Sequence, residues 1–479
     1  MALRLYDHDE QQSSAAASSA SCGPSRWSWS SQNVILLVAT ACTVALVTTL
    51  LCVFLVSSSN ARGDDGGLSG SSEGIPFALD VLSSNLTSGG TLAEMLSVKL
   101  TPFVTSGLSK PWSFCFIPSS GGQMLVTEFA GALKLVSNTG SVLGNVSGMP
   151  TVAVYRQGGL MDVAVDPQFA ANRRVFLTFS EGPQTPEDAG KVGTAVMSAV
   201  LANDNLSLSN VQVIFRQQPK LDSGAHFGSR VVPFRRDGPS SGPTVLYVTL
   251  GERGFANLAQ DNSTHIGKVV RIMADDGAPA PGNPSFSNPA ALPHLFSTGH
   301  RNPQAAALHP TTGLLWLAEH GPQGGDEVNL VLPGRNYGWP IVSYGCDYGT
   351  PLSQSPGCRY GGALGVHHNP PFTPPIAYWF PQSIAPGGMT FFRASGLAPP
   401  GFAAWEGNLF VGGLAGRSLW RLVLANDKSP NGSITPTVRW HQRLFSTEHE
   451  IRDLRQSPFD GLLYLVARED NRIYRVDLA

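Results

Sequence analysis

One histidine of the sequence stands where proton transfer to a bound ligand is feasible. His226 lies between Gly224 and Gly228, and residues without a Cβ let backbone and ligand approach each other closely. An imidazole has an unperturbed pKa of about 6.5 and can accept a proton near neutral pH. His226 is therefore a candidate general base, and the alternative is a structural histidine in a segment of strands and loops.

The elements that must position this histidine are short strands. Six hydrophobic phrases follow turns that contain Pro or Gly, and they alternate in polarity as half-buried strands do. They recur at intervals of roughly 50 to 95 residues and begin at Met124, Val175, Val245, Leu314, Leu409 and Leu462. Six repeats predict an all-β, six-bladed β-propeller of four-stranded blades, which RIYRVDL at Arg472 closes against the first blade. The alternative, a large β-sandwich, would not explain the six-fold recurrence.

Composition and cysteines narrow the functional classes. Lys and Arg (32) nearly balance Asp and Glu (34), which argues against a nucleic-acid partner because phosphates require a basic surface. No Cys or His spacing matches a zinc site. Cys346 and Cys358 flank a loop rich in Gly, Pro and Ser, where a disulfide and two free thiols are both open.

The N-terminal part predicts a membrane anchor. Residues 34–56 form an uncharged apolar run, long enough to cross about 30 Å of hydrocarbon as a helix. The apolar core of a secretory signal peptide is shorter, about 7–15 residues. We therefore expect a transmembrane signal anchor, with cleavage near Ala61 as the alternative. A disordered tail at 1–33, a Ser/Gly-rich stalk at 57–74 and the propeller domain at 75–479 complete the expected organisation.

Glycosylation sequons indicate the side of the membrane. They follow the apolar run at Asn85, Asn145, Asn205, Asn262 and Asn431. Because all five lie on one side, they favour a single-pass membrane protein whose C-terminal domain is lumenal or extracellular. A cytosolic domain whose sequons are never used is the alternative.

Nine short phrases in a fixed order carry a family resemblance. They are PWSFCFIP at Pro111, RQGGLMDVAVDPQFAANRRVF at Arg156, HFGSRV at His226, LGERG at Leu250, THIGKVVRI at Thr264, GHRNPQ at Gly299, EHGPQGGDEVNLV at Glu319, NYGWP at Asn336 and IRDLRQSPFDGLLYLV at Ile451. About three quarters of the chain resembles the glucose/sorbosone and aldose sugar dehydrogenases that depend on pyrroloquinoline quinone (PQQ). The resemblance implies the same six-bladed propeller. It also implies oxidation of an aldose to a lactone, with hydride transfer to PQQ and a calcium ion that polarises the quinone.

The resemblance also implies roles for individual residues. His226 matches the general base, and Gln157 and Arg253 match positions beside cofactor and substrate, with hydrogen bonding inside their glycine-rich turns as the alternative. Further pocket positions are Asn257, His320 and residues 300–304. The main-chain carbonyls of Gly321 and Pro322 match the calcium ligands, a ligand type that calcium accepts. Asp326 and Glu327 are expected to orient that turn, and an acidic turn facing solvent is the alternative.

Two departures from the family concern the cofactor. PQQ carries three carboxylates and requires cations around it. Ala415 stands where the family has a lysine or arginine, and Glu450 replaces the first arginine of an Arg-x-Arg-Asp phrase. Arg452 and Arg417 are therefore the expected cofactor anchors, and PQQ binding is expected to be weaker than in the family.

Two functions follow from these residues. The first is a PQQ- and Ca²⁺-dependent oxidoreductase that acts on a sugar, favoured by His226, Arg253 and the turn at Gly321. The second is a membrane-tethered propeller without redox activity that binds a glycan or protein ligand, as hedgehog-interacting proteins do. Ala415 and Glu450 favour this second function.

The sequons lead to a direct test of topology. The expressed full-length protein is expected to lose apparent mass on N-glycosidase treatment. Its C-terminal domain is expected to resist protease added to the cytosolic side of intact membranes. An unchanged mass together with cytosolic digestion of the domain would refute the lumenal or extracellular assignment.

Overall fold

Six sheets surround a common axis. The computed structural model describes residues 77–79, 96–235, 242–350, 371–394, 397–428, 434–446 and 449–479. Five of the sheets have four strands and one has five. Each innermost strand contacts the innermost strands of its two neighbours, so that the sheets form a ring. The predicted six-bladed β-propeller is confirmed.

The strands are numbered along the chain. The two that precede the first blade are β1 (Phe77–Leu79) and β2 (Val98–Val104). Each blade is given from the axis outward. Blade 1 consists of β3 (Pro111–Phe116), β4 (Met124–Glu128), β5 (Leu133–Val136) and β6 (Val142–Asn145), and blade 2 of β7 (Leu160–Val165), β8 (Arg174–Glu181), β9 (Gly193–Leu201) and β10 (Leu208–Arg216). Blade 3 consists of β11 (Val231–Phe234), β12 (Val245–Leu250), β13 (Lys268–Met273) and β14 (Leu295–Thr298).

The remaining blades follow the same plan. Blade 4 consists of β15 (Pro303–Leu308), β16 (Leu315–Glu319), β17 (Asp326–Val331) and β18 (Ala377–Trp379), and blade 5 of β19 (Pro386–Phe391), β20 (Leu409–Gly413), β21 (Ser418–Lys428) and β22 (Ile434–Ser446). Blade 6 consists of β23 (Ile451–Gln456), β24 (Leu463–Ala467) and β25 (Arg472–Leu478), with β2 outermost. β1 adds in parallel to β18 at the outer edge of blade 4. The helical segments of the described residues are short: α1 (Phe169–Asn172) and 3-10 turns at Pro186–Asp188, Ala256–Gln260 and Pro400–Trp405.

The six hydrophobic phrases form the second strands of the six blades, β4, β8, β12, β16, β20 and β24. Their predicted half-burial is wrong. Every residue of β4, β16, β20 and β24 is buried, because both surfaces of a blade pack against neighbouring blades. The apolar runs are consequently nearly continuous.

The ring closes by pairing of the two ends of the domain. β25 pairs antiparallel with β2, in the register Val98↔Leu478 to Val104↔Ile473. The segment at Arg472 therefore closes the ring as predicted, but its partner is a strand that precedes blade 1 and completes blade 6. Closure leaves few unpaired strand edges that could recruit another chain.

Arg230, the arginine of the HFGSRV phrase, immediately precedes β11 of blade 3 and contacts all five other blades. Its Nη1 lies 3.1 Å from Asp162 Oδ1 and 2.8 Å from Asp453 Oδ1. Its Nε donates to the Gln304 carbonyl (2.7 Å) and its guanidinium lies 4.5 Å from the Trp112 ring centroid. Nη2 donates to the Gly387 carbonyl. These partners belong to blades 2, 6, 4, 1 and 5, in that order.

A second arginine completes a buried charge cluster on the axis. Arg455 binds Asp162 (2.8 Å) and Asp453 (3.2 Å), and the Ser113 hydroxyl lies 2.7 Å from each carboxylate. Two guanidinium groups thus balance two buried carboxylates. Such clusters stabilise a fold only when complete, because removal of one partner leaves an uncompensated buried charge.

Several sequence-based expectations concern residues outside the description. The tail, the transmembrane run at 34–56 and the stalk lie there, as do Asn85, Asn431 and Cys358. In the described part of the chain, no helix has the length and apolar character needed to cross a membrane. Cys346 is disulfide-bonded.

The axial cluster leads to a stability prediction. Arg230→Met keeps much of the apolar stem but leaves Asp162 and Asp453 short of one positive charge. We expect the free energy of unfolding to fall by about 3–5 kcal/mol, measured by urea denaturation. Arg472→Gln, a change on the solvent-exposed end of β25, is the matched control and should leave the urea midpoint unchanged. Equal midpoints for both variants would contradict the role given to Arg230.

Candidate active site

Charged residues converge at the end of the axis where the innermost strands begin. His226 precedes β11, Glu252 follows β12, Arg301 precedes β15, His320 follows β16, and Arg452 lies in β23. All five are buried. The charges of Arg452, Arg301 and His226 act on His320, so residues from blades 3, 4 and 6 share one site.

His226 is held by its backbone as well as by its ring. Its N–H donates to Gln157 Oε1 (2.9 Å), and the Gln157 N–H donates to the Gly224 carbonyl (2.9 Å). The residue has a φ of +48°, a left-handed conformation that is uncommon outside glycine and often marks functional sites. Two predicted site residues, Gln157 and His226, are thereby brought together, and Gln157 acts as a support for the histidine backbone.

The glycines near His226 serve close packing of the chain. A Cβ on Gly251 would lie 2.0 Å from the His226 carbonyl oxygen, and a Cβ on Gly228 would lie 2.7 Å from the Gly251 nitrogen. Gly228 also has a φ of +63°. The segments carrying the histidine and Glu252 can therefore approach only because these positions are glycine.

A buried carboxylate orients the imidazole. Nδ1 of His226 is hydrogen-bonded to Oε1 of Glu252, which also accepts the N–H of Gly254 (3.1 Å). A carboxylate accepts, so Nδ1 carries the proton and Nε2 carries the lone pair that a base requires. The carboxylate would also stabilise the imidazolium that forms after proton uptake. Glu252 Oε2 is buried and accepts no hydrogen bond from the described residues.

Arg253 holds the loop before His226. Its Nε donates to the Ala225 carbonyl (2.8 Å), Nη1 donates to the Val192 carbonyl (3.2 Å), and Nη2 donates to the Ser223 carbonyl. The side chain is fully buried, its guanidinium lies 3.7 Å from the Phe227 ring centroid, and burial lowers its pKa to about 9. The geometry thus favours the alternative stated for this residue, hydrogen bonding within its own loop.

His320 reports the electrostatic character of the site. It is buried, and burial together with the Arg452 and Arg301 guanidinium groups lowers its pKa to about 3. The ring is therefore neutral at physiological pH, and its Nε2–H donates to the Pro386 carbonyl (3.1 Å). A neutral histidine beside two guanidinium groups indicates a positive local potential, which suits an anionic ligand.

Arg452 lies on the floor of the site. Its Nη1 donates to Gln304 Oε1 (2.7 Å), and its guanidinium lies 4.1 Å from the Trp112 ring centroid. Trp112 also contacts the Arg230 guanidinium. The indole therefore contacts both the arginine of the site and the arginine of the axial cluster, and Arg230 Nη2 also donates to the Arg452 carbonyl (3.1 Å).

The glycine-rich turn after β16 is organised by one carboxylate. Asp326 accepts from the N–H groups of Gly321 (2.9 Å), Ile384 (2.7 Å) and Ala385 (2.8 Å) and from the Ser383 hydroxyl (2.7 Å). It is buried, so the predicted orienting role is supported and the alternative of a solvent-facing acidic turn is not. Among the described turns and loops, no backbone N–H donates a hydrogen bond to the Gly321 or Pro322 carbonyl.

Two further carboxylates lie behind this turn. Glu319 accepts from His300 Nδ1 (2.9 Å) and from the Arg301 N–H (2.7 Å). The Asn329 amide bridges Glu319 (3.1 Å) and Glu327 (3.2 Å). Burial and the charge of Glu319 raise the pKa of Glu327 well above its ordinary value.

The predicted anchor Arg417 has a local partner. Its Nη2 lies 3.0 Å from Glu469 Oε2, and its side chain is partly exposed. Burial and the neighbouring Glu469 raise the pKa of Glu450, which Arg468 and Arg452 partly oppose. Asn257 is exposed on the 3-10 turn Ala256–Gln260. A small cavity beside the glycine-rich turn after β16 is lined by residues that include Arg301, His320 and Gly321.

Comparison with known proteins places the chain in a family. Residues 108–475 match the family described as glucose/sorbosone dehydrogenase. The chain is 35% identical over 365 residues to the aldose sugar dehydrogenase YliI of Escherichia coli, covering 76% of this chain and 88% of that protein.

The chain belongs to the glucose/sorbosone dehydrogenase family.

Solved structures agree with this membership. A crystal structure of a glucose dehydrogenase matches with a TM-score of 0.68 and 38% identity, over 80% of this chain and 100% of that one. The PQQ-bound aldose sugar dehydrogenase of Streptomyces coelicolor matches with a TM-score of 0.59 and 26% identity, over 80% and 98%. The predicted resemblance is confirmed, and so is the prediction of a sugar-oxidising oxidoreductase.

Two important residues of this dehydrogenase site were not singled out from the sequence. Glu252 precedes the arginine to which the LGERG phrase directed attention, and Arg301 was included only as part of the wall 300–304. A signal was present, since both are charged residues in glycine-containing phrases at the ends of predicted strands. Their direction could be determined only from the packed structure.

Arg253 gives a test that separates a structural from a catalytic residue. Arg253→Met should lower the melting temperature and increase amide hydrogen exchange in residues 223–226, because it removes the hydrogen bonds to the Ser223, Ala225 and Val192 carbonyls. Arg271→Met, on β13 in the same blade, is the control. Wild-type melting and exchange in Arg253→Met would refute the loop-holding role.

Proposed function

We propose that this dehydrogenase oxidises an aldose at its anomeric carbon to the lactone, with PQQ as hydride acceptor beside a calcium ion. The observation that carries the proposal is the buried His226–Glu252 pair next to the guanidinium groups of Arg301 and Arg452. A base and a region of positive potential are what this oxidation requires of the protein.

The residues present fit a polyanionic cofactor. Arg301 and Arg452 are both buried, and their charges add to the effect of burial in lowering the pKa of His320. An anion bound beside them would interact with full charges in a region of low dielectric, where such interactions are stronger than in water. Arg301 and Arg452 would hold the carboxylates of PQQ. Arg417, which is paired with Glu469, could contribute only in exchange for that partner.

The turn at Gly321 fits a calcium ion. Its carbonyl and that of Pro322 accept no hydrogen bond from backbone N–H groups of the described turns and loops, and Asp326 holds the turn in place by accepting the Gly321 N–H. Calcium accepts main-chain carbonyls as ligands in a flexible geometry. Among the described residues, no group of three or more His, Cys, Asp or Glu side chains could hold a metal ion, so these carbonyls are the candidates.

Bound PQQ beside calcium would supply the hydride acceptor for this oxidation. The chain's own residues manage the proton. Nε2 of His226 takes the proton of the anomeric hydroxyl as the C–H bond of the anomeric carbon breaks. Glu252 stabilises the resulting imidazolium through Nδ1–H. Gln157 holds the His226 backbone in its left-handed conformation, which fixes the direction in which Nε2 points.

We also propose that the reaction takes place outside the cytosol, on a protein anchored through residues 34–56. Of the sequons, Asn145 is exposed on the outer strand of blade 1. Asn205 is buried, with its amide bonded to Arg173 and Gln123. We therefore expect a glycan on Asn145 and none on Asn205.

The base and its partner yield a kinetic prediction. His226→Ala should lower kcat by about 10²–10⁴-fold while PQQ affinity, measured by fluorescence quenching, stays within threefold. Glu252→Gln should lower kcat in the same direction by a smaller factor, because a neutral amide stabilises the imidazolium less. His309→Gln, at a turn remote from the site, is the matched control. Wild-type kcat in His226→Ala would show that another group is the base.

The departures at Ala415 and Glu450 yield a binding prediction. Ala415→Lys with Glu450→Arg adds two positive charges and removes one negative charge near a trianionic ligand. PQQ affinity should rise at least tenfold, and the gain should shrink with added salt because exposed charges are screened beyond about 10 Å at 0.1 M. The control Ala171→Lys with Glu187→Arg makes the same charge change on blade 2.

Acidity provides a second measurement on the same variants. The pKa of Glu450 is raised, so its carboxylate becomes neutral as pH falls through that raised pKa, and repulsion of PQQ diminishes. Relative to the double variant, the wild-type protein should therefore gain affinity for PQQ at lower pH.

If neither protein binds PQQ at micromolar concentration, the electrostatic explanation fails. A propeller that binds a glycan or protein ligand then becomes the better proposal for the function.

A further inference from the structure

An exposed tyrosine lies at the mouth of the site. The side chain of Tyr348 is 45% exposed, although its hydroxyl is 2.9 Å from Nη2 of the buried Arg301. The Arg301 guanidinium lies 5.9 Å from the Tyr348 ring centroid and 5.2 Å from that of Trp339. The ring therefore joins solvent to the residues that line the small cavity beside His320.

The loop that carries this ring is bound to the glycine-rich turn. Gln323 exchanges two backbone hydrogen bonds with Cys346 (2.9 and 3.1 Å), and its Oε1 accepts the Gly349 N–H (2.8 Å). A Cβ on Gly345 would lie 2.8 Å from the Pro322 ring, so the two segments are in close contact. The disulfide of Cys346 restrains the loop further.

A rigid exposed aromatic ring at a polar site is suited to bind sugars. A pyranose with mostly equatorial hydroxyls presents its axial C–H bonds as a flat apolar surface, and a tyrosine ring can cover that surface. The fixed position of the loop lowers the entropy cost of ordering it on binding. The Arg301 guanidinium beside the ring can donate to hydroxyl groups at the sugar's edge.

We propose that Tyr348 is the stacking wall for the substrate and makes the enzyme selective for aldopyranose rings over short open-chain aldehydes. The proposal rests on the proposed sugar oxidation, and it assigns to Tyr348 substrate binding without a part in proton transfer. The Tyr348 hydroxyl keeps Arg301 in place, and the ring covers the C–H face of the sugar.

Steady-state kinetics of the calcium- and PQQ-loaded full-length protein test this assignment. Tyr348→Ala should raise the ratio of KM for D-glucose to KM for glycolaldehyde about fivefold to tenfold, because only the pyranose loses a stacking surface. Tyr348→Trp and Tyr348→Phe should restore KM for D-glucose, because a planar ring returns. Tyr348→Leu, which keeps apolar bulk without planarity, should behave like alanine. Leu143→Ala, an exposed apolar residue on β6, is the control.

Two outcomes would overturn the proposal. One is an unchanged KM for D-glucose in both Tyr348→Ala and Tyr348→Leu. The other is a loss of PQQ affinity in these variants with KM for D-glucose unchanged, which would assign the ring to the cofactor.

Saturation-transfer NMR of D-glucose separates this proposal from the proposed function, because it requires no turnover. A wild-type signal that Tyr348→Ala abolishes and Tyr348→Phe restores would support the stacking wall even in a protein that oxidises no sugar. Equal signals in wild type and Tyr348→Ala would refute it.

Discussion

The arrangement of the propeller depends on the ion cluster around Arg230. This guanidinium binds Asp162 and Asp453, the latter 223 positions further along the chain, and reaches backbone carbonyls of blades 4 and 5. The same arginine packs against Trp112, which also contacts Arg452. The cluster is thus connected to the floor of the active site through Trp112 and to the base His226 through the chain, because Arg230 lies four residues after His226 in sequence.

The site itself combines two opposed electrostatic demands. Glu252 must keep its negative charge beside His226, while Arg301 and Arg452 must create a positive potential for an anionic cofactor. Separate segments meet these demands: Glu252 follows β12, whereas the two arginines belong to blades 4 and 6. The turn with Gly321 and Pro322 offers neutral carbonyls, which suit a cation without adding negative charge near the cofactor carboxylates. Glu450 is the residue that runs against this division, and its raised pKa reduces the conflict.

Local pattern was sufficient to predict the fold and to single out His226 as the candidate base, but not the contacts around it. The six second strands are continuous apolar runs, so their spacing alone indicated six blades, and the HFGSRV phrase indicated His226. The direction of a side chain depends on distant partners, and here the sequence misled: Arg253 turns back to the Val192 and Ser223 carbonyls, while Arg301 points into the site. Glu252 and His226 are 26 positions apart, and nothing in either phrase indicates their pairing. Arg417 was expected to reach the cofactor. Its ion pair with Glu469, 52 positions further along the chain, could not be predicted from the residues around Arg417.

The most direct test of the central claim is a single-turnover experiment. Full-length protein in detergent is loaded with PQQ and calcium, freed of excess quinone, and mixed anaerobically with an aldose while quinone absorbance is recorded. In the wild type, we expect the oxidised-quinone absorbance to be lost in proportion to bound PQQ. In His226→Ala, we expect the quinone to remain bound and the rate of this absorbance loss to be at least about a hundredfold lower. Bound quinone whose absorbance does not change with any aldose would contradict the assignment of this site to sugar oxidation.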